Sequence, residues 1–193
     1  MKIRFVLNFV LLAALSSGAL ANETYKFDQS HSTIGFTVHQ FLGTTHGKFA
    51  KFDGKIEIDR EHPEKSSVVA KIDVRSIDTG IVKRDNHLRS AEFFNVAKLP
   101  EITFKSARVR QTGQQSGDIF GDLTIHGVTK PITLHVKLVS PISNDTKEVR
   151  WAVTTEPLKR RDFNLMFKQS AESISGIGQT VAVNIEIEAS RVQ

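Results

Sequence analysis

LTIHGVTKPITL, residues 123–134, decides the fold class. Leu123 and Ile125 alternate with Thr124 before His126-Gly127, and Ile132 and Leu134 alternate with Thr133 after it. A glycine in the second place of a two-residue turn accepts the positive φ that a tight hairpin requires. Pro131 has no amide proton, so it demands an edge or irregular position in the second strand. The stretch therefore predicts two antiparallel strands joined by a tight turn.

The same period of two extends outward along the chain. It recurs at Ile34-Phe36-Val38, Phe52-Gly54-Ile56-Ile58, Val68-Ala70-Ile72-Val74 and Ile119-Gly121-Leu123-Ile125. It returns at Ile132-Leu134-Val136-Leu138, Val149-Trp151-Val153 and Val181-Val183-Ile185-Ile187, with Asn144-Asp145 as a turn before Trp151. Short alternating segments between Gly, Pro, Asn and Asp are the mark of an all-β protein. Two breaks in phase, Phe49 against Phe52 and Ile102-Phe104 against Ala107-Val109, predict bulges that bend their strands. Long bent strands with one apolar face favour an antiparallel barrel, since closure removes exposed edges.

RDNHLRSAEFF, residues 84–94, interrupts that pattern. Ile81 and Leu88 lie seven apart, on one helical face, and Asp85 precedes Arg89 by four, a supportive spacing for an ion pair. A short helix over about residues 81–90 is expected to cover one end of the barrel, with Phe93 and Phe94 turning inward behind it.

The first residues read as a targeting segment. Lys2 and Arg4 precede the apolar run FVLNFVLLAAL, and Ala19-Leu20-Ala21 fits a cleavage site. The run is shorter than the roughly twenty apolar residues of a membrane helix. The expected mature chain is a single domain, residues 22–193, exported to the periplasm, and its net charge falls from +5 to +3 with the loss of Lys2 and Arg4. That charge is spread out, so no nucleic-acid partner is expected. The absence of cysteine excludes a disulfide framework, a thiol nucleophile and a cysteine-ligated metal.

Candidate chemistry is sparse. The seven histidines form no HxH and no HExxH, and no metal site or cofactor is expected. There is no GxSxG elbow, and on a helix Asp85 and His87 diverge, so helix capping is preferred to catalysis for both. In LKRRDFN, residues 158–164, Arg160, Arg161 and Asp162 suit a polar rim, while Arg161 also suits a phosphate grip. Gly176-Ile177-Gly178 lacks the third glycine of a dinucleotide loop. Asn22-Glu23-Thr24 and Asn144-Asp145-Thr146 match a glycosylation sequon but carry little weight beside a bacterial-type signal. Thirteen phenylalanines stand against one tyrosine and one tryptophan. Such rings serve an ordinary core, or a cavity that holds hydrocarbon without offering it hydrogen bonds.

Taken together, DQSHSTIGFTVHQ (28–40), GKFAKFDGKIEID (47–59), SIDTG (76–80), RDNHLRSAEFFNVAKLPEITFKS (84–106), GDLTIHGVTKPITL (121–134) and RRDFN (160–164) resemble the YceI family of secreted lipid-binding proteins. Asn164 stands where that family usually has glycine. The resemblance implies an elongated, lipocalin-like antiparallel barrel of about eight strands around a polyisoprenoid chain, a prenyl quinone or polyprenyl phosphate. On that basis the expected tail contacts are Phe36, Val38, Phe52, Ile72, Phe93, Phe94, Phe104, Leu123, Leu134, Trp151 and Phe163. Arg84, His87 and Arg161 are the expected head-group contacts. The expected function is a non-enzymatic carrier whose partners are the isoprenoid lipid and, transiently, a membrane. The alternatives are an enzyme on a prenyl or lipid substrate, using His87 with Asp85 or Arg161, and a secreted stress-response interaction module.

Overall fold

Alternation repeated over so many segments gives each strand one apolar face, and wrapping the sheet on itself turns all those faces inward together. The computed structural model describes residues 22–41, 43–140, 147–166 and 176–192. Their strands are β1 (Glu23–Phe27), β2 (Thr33–Gln40), β3 (Gly43–Phe49), β4 (Phe52–Ile58), β5 (Ser67–Asp73) and β6 (Ile77–Asp78). After the single α-helix among the described residues, α1 (Val82–Arg89), come β7 (Glu101–Gly113), β8 (Ser116–Ile125) and β9 (Val128–Leu138). The last are β10 (Glu148–Thr155), β11 (Leu158–Lys159) and β12 (Thr180–Arg191). The expected signal segment and the Asn144-Asp145 turn and sequon lie outside the described residues.

All pairings are antiparallel, and the ring runs β12–β1–β4–β5–β7–β8–β9–β10 and back to β12. That is a closed eight-stranded barrel. β2 and β3 continue β1 and β4 past short interruptions, so β12 pairs with β2 through Val181–Glu186 and with β1 through Ala189–Arg191.

The interruption between β1 and β2 leaves Glu188 of β12, paired with Arg150 of β10 on its other side, without a ladder partner on this side, and buried backbone groups must be paired. Here local side chains replace the ladder. The Asp28 amide donates to the Glu188 carbonyl at 2.8 Å, and the Ser32 hydroxyl donates to the same oxygen at 3.1 Å. Ser32 Oγ in turn accepts from the Glu188 amide at 2.9 Å. A second staple bridges Ala50 and Lys51, where β3 passes into β4. The Ala50 amide donates to the Ser76 carbonyl, the Lys51 amide to Ser76 Oγ, and the Asp73 amide to the Lys51 carbonyl.

That second site corrects one expectation. Phe49 and Phe52 are out of phase because the strand ends and restarts between them, not because of a bulge within it; both rings are buried. The other expected bulge is present, with a register shift between Ser106 and Arg108 that leaves Ala107 extra. The hairpin forms as expected: His126 and Gly127 have φ of 50° and 75°, the paired left-handed conformation of a tight turn. Pro131 faces Asp122 of β8, while β10 pairs with β9 only from Leu134 onward, so its missing donor faces no strand.

The helix is shorter by about a residue at each end than expected, and one of its supports differs. Asp85 does not pair with Arg89. Its carboxylate accepts from the Thr79 amide at 3.0 Å and the Thr79 hydroxyl at 2.5 Å, tying the helix to the preceding strand end. Arg89 donates to the carbonyls of Arg75 and Ile77. α1 lies at the same end of the barrel as the β2–β3 and β8–β9 turns and a 3-10 turn at Arg160–Phe163. The β7–β8 turn and the 3-10 turn at Pro63–Lys65 mark the far end.

Near the far end, Tyr25 is fully buried, edge-on to Trp151, and donates to Glu23, which also accepts from Arg60 and Arg191. Burial alone raises the Glu23 carboxyl, but these donors, Arg60 foremost, outweigh it and hold it below the ordinary value of 4.5. A depressed carboxyl stabilises the fold fully above its unfolded pKa, and that contribution is lost as pH falls through the folded value.

Two outcomes follow from these contacts. Ser32→Ala strips the Glu188 amide of its partner and is expected to cost about 1–3 kcal/mol, read as a lower urea midpoint with unchanged slope; an unaltered midpoint would mean that water replaces the hydroxyl. Glu23→Gln lowers the midpoint near neutral pH and flattens its decline below about pH 4.5. Parallel pH profiles for variant and parent would show that other carboxyls govern the acid limb.

Candidate ligand cavity

The residues that alternate inward do not fill the barrel. Phe36, Val38, Ile72, Ile132, Leu134, Val136, Val183 and Ile185 all point to the interior yet are only partly buried, because they face open space. That space is a cavity of about 1100 Å³ lined by residues from both ends of the barrel. It exceeds the roughly 300–1,000 Å³ of ordinary small-molecule pockets. β7 and β12, at 13 and 12 residues, give the wall a length of about 40 Å at roughly 3.3 Å per residue.

Ten of the eleven expected tail contacts lie in the cavity wall: Phe36, Val38, Ile72, Phe93, Phe94, Phe104, Leu123, Leu134, Trp151 and Phe163. Phe52 does not. It is buried at the β3–β4 interruption, opposite Ile72, with its amide donating to Gln29. A ladder of rings runs inward from the helix end. Phe36 and Phe49 have centroids 5.6 Å apart, Phe49 and Phe94 6.5 Å, and Phe94 and Phe93 5.1 Å. Phe93 and Phe94 take up this position because the chain folds back after α1, the Phe94 amide donating to the Leu88 carbonyl.

Three glycines make room for phenylalanine. A methyl group on Gly47 would overlap the ring of Phe36, its cross-strand partner. A methyl group on Gly54 would likewise overlap the ring of Phe27, and one on Gly121 the Lys105 carbonyl and the ring of Phe104. Each ring lies over bare backbone and so takes space from the wall instead of the bore.

The two ends of the cavity differ in chemistry. At the far end it meets Gln111, Gln114, Gln115 and Ser116, which are neutral. At the helix end it meets Lys83, Arg84 and His87, with Glu92 the acid among them. Arg84 donates to Thr79 Oγ1 at 2.7 Å, to the Thr79 carbonyl at 2.8 Å and to Thr45 Oγ1 at 3.1 Å, all neutral oxygens. Among the described residues its guanidinium meets no carboxylate within ion-pair distance. His87 is exposed, with Nε2 3.3 Å from Glu92. Asp85 is turned away to Thr79, so His87 and Asp85 are not brought together as an acid–base pair.

Arg161 is exposed and outside the cavity wall; the neighbouring Arg160 takes the interior place. Arg160 is buried and donates to the carbonyls of Gly178, Leu165 and Ile177, pinning two chain segments to the 3-10 turn. Asn164 closes that turn at φ 57°, the left-handed conformation that glycine favours and asparagine tolerates. Sequence reasoning also passed over Phe27, Thr45, Thr79 and Ile177 in the wall; of these Phe27 and Ile177 are apolar, but Ile177 stands between two glycines outside any alternating run.

Outside the barrel, Asp28, His31 and Glu188 bring potential ligand atoms within 4.8 Å of one another. These groups already serve the β1–β2 staple: His31 bonds Asp28 at 2.8 Å, and Glu188 accepts from Arg150. Hydrogen bonding to Asp28, then its charge and that of Glu188, raises the His31 pKa.

Known proteins resemble this barrel in sequence and in shape. The family model described as "YceI-like domain" matches residues 25–189. Protein YceI of Salmonella arizonae is 39% identical over 166 residues, covering 83% of this chain and 86% of that one. Among solved structures, Burkholderia cenocepacia BcnA aligns with a TM-score of 0.76 at 22% identity, over 85% of this chain and 99% of its own. The Campylobacter jejuni YCEI protein aligns at 0.67 and 26% identity, over 80% and 90%. A polyisoprenoid binding domain from Saccharophagus degradans, implicated in plant cell wall breakdown, aligns at 0.66 and 20% identity, over 86% and 98%.

The glycine–phenylalanine contacts make the bore sensitive to a single methyl group. Gly47→Ala is expected to drive the Phe36 ring toward the lumen and to cost about 1–3 kcal/mol. A crystal structure of the variant should show a narrower cavity beside Phe36; an unmoved ring and an unchanged melting temperature would contradict the space argument.

Proposed function

The chain belongs to the YceI-like domain family, and from that premise we propose that it binds and carries a long isoprenoid lipid, a prenyl quinone or polyprenyl phosphate, inside its barrel. One observation carries the reading: an apolar cavity of about 1100 Å³ spans the barrel and meets polar groups only toward its ends. Each methylene moved from water into such a lining gains about 0.8 kcal/mol. A bilayer offers the tail the same gain, so the protein keeps the lipid soluble without winning it by tail contacts alone. Preference over the membrane must come from the head group.

The head group belongs at the helix end. Arg84 reaches the cavity with its charge opposed by neutral oxygens, and Lys83 and His87 flank it. A guanidinium has five donors in a planar fork suited to phosphate or to a quinone carbonyl. Arg161 has no part in this reading, since it lies outside the wall. The tail then runs past Phe93, Phe94 and Phe36 toward Leu123, Leu134 and Trp151. Binding is the reading the geometry supports over the enzyme alternative of His87 with Asp85 or Arg161, since Asp85 is committed to Thr79 and Arg161 lies outside the wall. Export to the periplasm, from the basic and apolar opening residues, places the carrier between two membranes.

Organic extraction and mass spectrometry of protein purified from its native host should yield a prenyl lipid in near-stoichiometric amount. Delipidated protein that takes up no prenyl compound, while retaining some unrelated ligand, would end the proposal. Within it, Arg84→Met is expected to weaken polyprenyl phosphate binding by about ten- to a hundredfold, while a prenyl hydrocarbon without a head group binds as before. Equal losses for both ligands would place the head group elsewhere.

A further inference from the structure

An exposed aliphatic side chain needs no explanation when it stands alone. Several at one place do. Among the described residues the large exposed hydrophobic side chains are Phe41, Val69, Ile81, Val82, Val139, Met166 and Val192, and four of these seven belong to the helix end. Phe41 and Val82 are the most exposed of all, at 86% and 75%.

Hydrogen bonds tie the four into one rim. Ile81 and Val82 begin α1, whose Arg84 donates to Thr45 Oγ1. Gln40, next to Phe41, donates to the same Thr45 oxygen at 2.8 Å. The Phe41 amide donates to the Gly176 carbonyl at 3.2 Å. Arg160 then joins Ile177 and Gly178 to Leu165, the neighbour of Met166. The rim is continuous with the interior, because Ile81 is at once half-exposed and part of the cavity wall, and Leu165 and Ile177 line it too.

The charge of this rim is specific as well. The acid within α1, Asp85, is buried against Thr79, so the helix turns Lys83, Arg84 and His87 outward or toward the cavity mouth. Lys159 and Arg161 are exposed on the neighbouring segment, and the exposed acids of the rim are Glu92, paired with His87, and Glu156 and Asp162. Apolar side chains at the tip and cations around them are the composition of surfaces that settle into the headgroup layer of an anionic membrane.

We propose that the helix end is a bilayer-docking face that seats Phe41, Ile81, Val82 and Met166 among the headgroups of an anionic membrane, so that the cavity opens into the acyl layer. The inference rests on the carrier reading. It removes that reading's kinetic difficulty, since a tail sliding from acyl layer to apolar bore never crosses water.

Co-sedimentation of the full mature chain with phosphatidylcholine vesicles, with and without a minority of phosphatidylglycerol, tests it at low salt. The parent protein should partition onto the phosphatidylglycerol vesicles. F41S/V82S/M166S, none of which lines the cavity, should lose about tenfold or more of that partitioning. V139S/V192S, away from this rim, should retain it, with melting curves confirming that both variants fold. No partitioning by the parent, or equal partitioning by F41S/V82S/M166S, would overturn the docking face. So would light scattering that shows the parent self-associating through the patch, with the triple variant monomeric and neither bound to vesicles. Prenyl uptake from detergent, measured on the same preparations, separates the two ideas: uptake without vesicle docking leaves the carrier reading standing and removes only this one.

Discussion

Closure of the barrel depends on how β12 changes partners. Toward the helix end it pairs with β2, and toward the far end with β1, so at Glu188 one side of the ladder has no strand beside it. Asp28 and Ser32 supply the missing donors and acceptor from the connecting turn. Without that substitution a buried amide would stand unpaired at the seam of the ring, and an unpaired buried group costs more than most contacts gain. The Ser76–Lys51 staple performs the same service one strand away. Both interruptions let long strands bend while their inward faces stay in register.

Closing a sheet around empty space carries an energetic consequence. The inward aliphatic residues gain less from folding than they would in a solid core, because part of their surface still meets the lumen. Cohesion must come from the places where side chains do meet: the Tyr25–Trp151 contact near one end and the Phe36–Phe49–Phe94–Phe93 series near the other. A hydrocarbon guest would complete the missing core and add to stability by mass action.

The sequence was most informative where one force acts alone. Period-two alternation responds only to the inside-outside distinction, so the interior face of β2, β8, β9 and β12 was legible residue by residue, and with it most of the cavity wall. The His126-Gly127 turn was legible because its backbone conformation restricts residue choice. What escaped depends on partners distant in sequence or on local phase. Asp85 suits Arg89 on a helical wheel, yet Thr79, six residues upstream and outside the helix, offers two donors. Arg160 and Arg161 are adjacent and chemically alike, and only the phase of the 3-10 turn decides which one enters the interior. Phe52 alternates correctly, but the break before it removes it from the wall.

The unlike linings of the two mouths, amides at one and cations at the other, give the bore a polarity. A symmetrical tube would accept a one-headed molecule either way round, and half its cargo would present the wrong terminus to a recipient. Under the proposed carrier role a one-headed guest would have a single favoured heading, so every loaded copy would offer it in the same pose, released by the door through which it entered.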